Sequence, residues 1–238
     1  MKNIKKILGI STLLFWLLIG CQKKNHSEWF YLFDGTSLDG WRAFNGVELP
    51  SGWSIKEGSL TFNTKLKNEA NYKGGKTIIY ALEEFENFEL FLEWKISEGG
   101  NSGVFYHLNE EFEDIIAPEY QLIDDLKWSE YNNNITLKEW QKTGADYAMH
   151  TPDTTKKIVK PAGEWNTTKI VFTPERVEYW HNGVKLLSFV PWSEDWYERK
   201  SKGKWKDSPN YGKFKSGYIG LQDHDSPIWF KNIKIKKL

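Results

Sequence analysis

Apolar side chains recur at every second position in one segment of the chain after another. In FELFLEWKI, Phe88, Leu90, Leu92, Trp94 and Ile96 fall on one side of an extended strand, and Glu89, Phe91, Glu93 and Lys95 on the other. Successive strand side chains point to opposite faces, so this stretch predicts one core face and one wetter face. TKIVF (Thr168 to Phe172), SGYIGLQDH (Ser216 to His224) and PIWFKNIKI (Pro227 to Ile235) predict further strands. VEYWHNGVKLLSF predicts a hairpin, because Asn182-Gly183 suits the tight turn of positive φ between Val177–His181 and Val184–Phe189. WSIKEGSLTF (Trp53 to Phe62) predicts a second hairpin turning at Gly58. No long stretch repeats at the helical spacing. Many short strands with turn signals between them predict an all-β antiparallel sandwich or barrel.

Two stretches break the alternation. Ser129 to Tyr147 and Trp192 to Phe214 are long, polar and aromatic-rich, too dense in tryptophan for disorder and too irregular for the main sheets. Long ordered loops over a scaffold are where binding usually occurs. The first residues stand apart as well: a basic MKNIKK, an apolar run, then LIGC ending at Cys21, the single cysteine of the chain. This predicts a lipoprotein signal over residues 1–20, a lipidated tether over 21–27 and one domain over 28–238. Lys23 and Lys24 behind the lipidated cysteine are unlike an acidic surface-export tag, which places the protein on the periplasmic face of the outer membrane rather than the cell surface.

With the leader removed, 29 basic side chains face 32 acidic ones, so charge gives no argument for nucleic acid or for electrostatic membrane binding. One cysteine allows no intrachain disulfide, and packing must hold the fold in an oxidising compartment. Thirteen Trp, eleven Tyr and fourteen Phe, all but Trp16 and Phe15 beyond the leader, supply that packing, and equally a surface on which sugars could stack.

Candidate chemistry centres on PEYQLIDD, Pro118 to Asp125. A bulge between Gln121 and Asp124 would project Glu119, Gln121 and Asp124 from one face. The spacing then resembles the E-x-D-x-x-E strand of sandwich-fold β-glucanases, with an amide in the middle place and a shorter acid in the last. Those departures weaken the usual retaining pair of carboxyls about 5–5.5 Å apart. A charged edge strand that blocks aggregation is the plainer reading of the same residues. GGNSGVFYHL (Gly99 to Leu108) sets His107 away from Val104, Tyr106 and Leu108, and GLQDH sets Gln222 and His224 opposite Ile219 and Leu221. That is the pattern of a sheet whose concave side holds a polar ligand.

LFDGTSLDGW, EGSL, FENFELFLEWKIS, GGNSGVFYH, PEYQLIDD, TGADY, GEWN and GYIGLQDH…FKNIKIK, in this order from about Phe30 to the C-terminus, resemble the 3-keto-disaccharide hydrolase family, also described as 3-keto-glucoside lyases and hydratases. The resemblance implies a concanavalin A-like β-sandwich, or jelly roll, often on bacterial lipoproteins, that acts on glycosides oxidised at carbon three. A ketone there acidifies the proton on carbon two. Its removal gives an enolate that expels the glycosidic oxygen by β-elimination, and water added to the enone completes a net hydrolysis. The enzyme then needs a base, donors to the enolate oxygen and a proton for the leaving group. On this reading Glu119 or His107 is the base, and Asp124 orients a histidine or supplies a proton. Asn101, Gln121, Gln222 and His224 bind sugar hydroxyls or the keto oxygen, and Tyr147 and Trp165 stack against the ring.

Two rivals share the fold: a non-catalytic carbohydrate-binding module, and a calcium-binding sandwich using Asp124, Asp125 and Asp223. No cofactor is expected, since neither a zinc spacing nor a glycine-rich nucleotide loop is present; a divalent site built across strands without a sequence pattern stays open. Without a nucleotide loop, the ketone must come from a separate sugar oxidoreductase.

Overall fold

The structure, a computed structural model, describes residues 28–64 and 77–238. The expected leader, the lipidated Cys21 and the tether lie outside the described residues. Strands are numbered in chain order. One sheet runs β11 (Val184–Phe189), β10 (Arg176–His181), β9 (Asn166–Thr173), β6 (Phe88–Ile96), β13 (Ile228–Lys237), β4 (Ser59–Phe62) and β3 (Trp53–Lys56), and β1 (Phe30–Phe33) also pairs with β13. The second runs β2 (Trp41–Ala43), β5 (Ile78–Phe85), β12 (Gly217–Leu221), β7 (Asn101–Leu108) and β8 (Glu119–Ile123). Every described pairing is antiparallel. The molecule is thus a concanavalin A-like β-sandwich, and the alternating sequence pattern is its cause.

In β6 the five apolar positions are buried while the intervening ones are half-buried. Each such side chain contributes about 1.5–3 kcal/mol on leaving water. They face β12 and β7 across the core, where the Tyr179 hydroxyl of one sheet donates to the Tyr106 hydroxyl of the other at 2.8 Å. Both expected hairpins form. Asn182 (φ 46°) and Gly183 (φ 79°) turn β10 into β11, and Glu57 (φ 51°) and Gly58 (φ 71°) turn β3 into β4. Strands β1, β2 and β5, and two short helices, α1 (Trp128–Tyr131) and α2 (Glu194–Lys202), were not indicated by the pattern.

The expected bulge in β8 is absent, and one sits in its neighbour. β8 pairs residue for residue with β7, from Phe105↔Glu119 to Asn101↔Ile123. In β7, Tyr106 and His107 together oppose Ile219 of β12, and His107 takes φ 50°. That extra residue turns the His107 ring into the core, where it lies 4.3 Å from the Phe172 ring. Residues Gly144 to Tyr147 run along the free edge of β8: Gly144 N–H donates to Gln121 O, Gln121 N–H to Ala145 O and Tyr147 N–H to Glu119 O, all at 3.0 Å. The edge is therefore paired and closed to further strands.

Candidate active site

The unbulged register gives β7 and β8 one shared outer face. Asn101, Gly103 and Phe105 lie opposite Ile123, Gln121 and Glu119, and Gln222, whose N–H donates to Gly103 O at 2.9 Å, extends the same face. Two loops wall it in. Tyr147 comes from the segment laid along β8, and Lys204 and Trp205 follow α2. Together with Ile115 and His224 these residues line a cavity of about 190 Å3.

Glu119 lies across Gly103, where a β-carbon would come within 2.0 Å of its Oε1. Only glycine leaves the carboxyl that room. Burial pushes the Glu119 pKa up to about 8; the Asp146 charge adds to the rise and the Lys204 ammonium opposes it. A neutral acid therefore predominates at pH 7, poised to ionise near working pH. The Lys204 ammonium lies 4.4 Å from the Tyr147 ring centroid and 4.8 Å from that of Trp205. Partial burial lowers its pKa, and Glu119 pulls it back up. Burial and the Glu119 charge both raise the Tyr147 phenol.

Amides make up the rest of the face. Gln121 Nε2 donates to Asn101 Oδ1 at 2.7 Å, which fixes both side chains. Gln222 Oε1 is buried without a hydrogen-bond partner among the described residues. An unmet acceptor is costly, and a ligand hydroxyl in the cavity would satisfy it. The loop behind the wall is braced by a buried polar pair, His150 Nδ1 donating to Asp146 Oδ2 at 2.8 Å. Trp205 stacks on Tyr211 (4.3 Å, 12°), which stacks on Trp196 of α2 (5.6 Å, 11°).

The cavity thus gathers Glu119, Asn101, Gln121, Tyr147, Gln222 and, at its rim, His224. Three expected members lie elsewhere. His107 donates from Nε2 to Glu86 O at 2.9 Å inside the core, and burial lowers its pKa to about 4, so it is a neutral structural group. Asp124 follows the regular end of β8 and accepts the N–H groups of Gly99, Leu126 and Lys127 at 2.9, 3.2 and 3.3 Å, closing a turn. Trp165 lies on the outer face of the other sheet, against Lys95 and Lys231. Asp125, a ligand in the calcium alternative, is instead paired with buried Lys157. Among the described residues no three His, Cys, Asp or Glu side chains converge as metal ligands would. Lys204 and Trp205 stand outside the residues expected from the sequence, although both lie in the aromatic-rich stretch Trp192 to Phe214.

A β-sandwich with acid, amide, ammonium and aromatic groups around a ring-sized cavity on one sheet face is the architecture of a carbohydrate-active protein. The 3-keto-alpha-glucoside-1,2-lyase-like domain matches residues 28–236. A 3-keto-disaccharide hydrolase of Bacteroides thetaiotaomicron is 32% identical over 234 residues, 87% of this chain and 77% of that protein. Two crystal structures of candidate glycosyl hydrolases from Parabacteroides distasonis superpose on this fold. One is 38% identical with TM-score 0.78, covering 89% of this chain and 95% of the other. The second is 28% identical with TM-score 0.66, covering 89% and 100%. The chain belongs to the 3-keto-alpha-glucoside-1,2-lyase-like family of glycosidic-bond-cleaving enzymes.

Proposed function

We propose that the protein cleaves 3-keto-glycosides by removing the proton on carbon two and expelling the glycosidic oxygen from carbon one. Glu119 is the base. The observation that carries this assignment is its buried carboxyl, with a pKa of about 8, facing an ammonium across a cavity otherwise lined by amides and aromatic rings. Ionised Glu119 takes the proton and becomes neutral, which burial favours. The electron pair shifts onto the ketone oxygen, where Lys204 offsets the developing negative charge. Collapse of the enolate breaks the bond at carbon one, and protonated Glu119 or Tyr147 returns a proton to the departing oxygen. Addition of water to the enone yields the free keto-sugar. Asn101, Gln121 and Gln222 hold ring hydroxyls, and Trp205 packs against the ring. The cavity has room for one pyranose, so the aglycone lies outside and is recognised loosely.

The reading extends to the protein's setting. The substrate ketone is made by a separate sugar oxidoreductase. Cys21 carries a lipid that holds the protein on the periplasmic face of the outer membrane; loss of palmitate incorporation in Cys21→Ser tests this. The catalytic reading is tested by incubation with 3-keto-glucosides and their unoxidised parents in deuterated water. Aglycone release from the keto compounds alone, with deuterium at carbon two, supports it. Cleavage of the parents points to ordinary glycoside hydrolysis, and binding without turnover to a lectin.

A further inference from the structure

The GEWN segment contributes nothing to the cavity just described, yet its tryptophan is built into another. On the outer face of the opposite sheet, Trp165, Trp229, Lys56, Lys95 and Lys231 surround a depression of about 410 Å3, with Glu57 and Ser59 completing the rim. Its floor is rigid. Adjacent strands β6, β13, β4 and β3 supply it, with Trp229 paired to Lys95 on one side and to Thr61 on the other. Trp165 stands at the edge, just before β9.

The two indoles are half-buried, and the ammonium groups are held against them. Lys95 Nζ lies 4.8 Å from the Trp229 ring centroid and 5.1 Å from that of Trp165, and Lys231 Nζ lies 4.1 Å from Trp165. Ring faces attract cations, so these contacts fix two charges beside apolar surface. Lys231 also meets Glu93 at 3.4 Å. Lys95 and Lys56 have no carboxylate within ion-pair distance among the described residues. The depression therefore carries excess positive charge, three lysines against Glu57, next to two indoles on the outer face of a sheet.

We infer that this face is a second, non-catalytic site for an acidic saccharide, a sugar ring bearing a carboxylate or a sulfate ester. The anionic group would meet Lys95 and Lys56, and the C–H face of the ring would pack on Trp165 and Trp229. A neutral sugar leaves the ammonium groups unmatched, and a bare anion makes no use of the remaining apolar surface of the indoles. Both halves are needed. The site is remote from Glu119, so occupancy is independent of turnover. It would hold the enzyme on acidic glycan while the other face works.

The test is nuclear magnetic resonance of the full protein carrying 15N-labelled tryptophan, with the indole signals of Trp165 and Trp229 assigned through Trp165→Phe and Trp229→Phe. The probes are a galacturonate disaccharide, N-acetylglucosamine 6-sulfate, maltose and inorganic sulfate. Saturable shifts of both indoles with either acidic sugar, and none with maltose, are expected; which acidic sugar binds identifies the anionic group. Lys95→Ala with Lys56→Ala should weaken binding by about tenfold or more, the scale of one lost charge-assisted contact. Glu119→Gln should leave it unchanged, which separates this site from the catalytic reading. Silence of both indoles with both acidic sugars overturns the inference. Equal shifts with inorganic sulfate overturn the saccharide assignment and leave an adventitious ion only.

Discussion

Replacing Gly103 by alanine tests the proposed base without touching it. The new methyl would stand 2.0 Å from Glu119 Oε1, 2.8 Å from Cδ and 2.9 Å from Cγ. Restoring an ordinary separation of about 3.5 Å moves that oxygen by roughly 1.5 Å. The displaced atoms are the far end of a flexible side chain, so the strand itself is spared. Overpacking costs of about 1–3 kcal/mol are offset in part by the lower chain entropy of alanine, about 0.4–1 kcal/mol. Misplacing a reacting group by about 1 Å costs roughly 10²-fold in rate, or about 2.7 kcal/mol of barrier. Initial rates with a chromogenic 3-keto-glucoside should therefore fall about 10²-fold in kcat for Gly103→Ala, with a cooperative melting transition retained and its midpoint lowered by no more than about 10 °C. Adding Glu119→Gln should cost little more, because both changes remove the same function. A folded Gly103→Ala protein with wild-type kcat would refute the role of Glu119.

Turnover should rise with pH through about 8 as Glu119 ionises, and Glu119→Gln should abolish that limb while cutting kcat at least about 10²-fold. Folded Glu119 binds its proton more tightly than the unfolded side chain, so wild-type stability declines as pH rises from 4.5 to about 8, and Glu119→Gln should melt higher than wild type at pH 9 but not at pH 4. His107 and His181 behave oppositely: burial lowers each from 6.5 to about 4, so stability should be lost as pH falls through that window in denaturant titrations. Lys204→Met should lower kcat more than it raises KM, since the ammonium acts on charge that develops during reaction. Asp124→Ala should lower stability by about 1–3 kcal/mol, because three part-buried turn N–H groups lose their acceptor, while kcat stays within a few-fold.

The sandwich was legible because its evidence is local and repeated: β6 alternates without a break, and each two-residue turn ends on a glycine, which takes positive φ freely. The polar face was legible for the same reason, since Glu119, Gln121 and Gln222 follow from strict alternation alone. What misled was phase. One extra residue in β7 reverses the side on which His107 falls, and nothing in GVFYHL marks it. Asp124 would join the polar face only if that extra residue stood in β8, and β8 is regular. Lys204 and Trp205 reach the site from about eighty residues further along the chain by way of a helix with a single buried residue, too weak a period to read. Trp165 shows the opposite failure, an aromatic near the right words on the wrong sheet.

The stacked rings of Trp196, Tyr211 and Trp205 have a consequence for how such enzymes diversify. This wall coheres through its own aromatic column, and Gly212 leaves no space for a β-carbon beside Trp196, where one would come within 2.4 Å. It can be recut or exchanged as a panel while β7 and β8 keep the acid and amides in register. A change of sugar preference then calls for a change in the panel alone, with the strands beneath it left as they are.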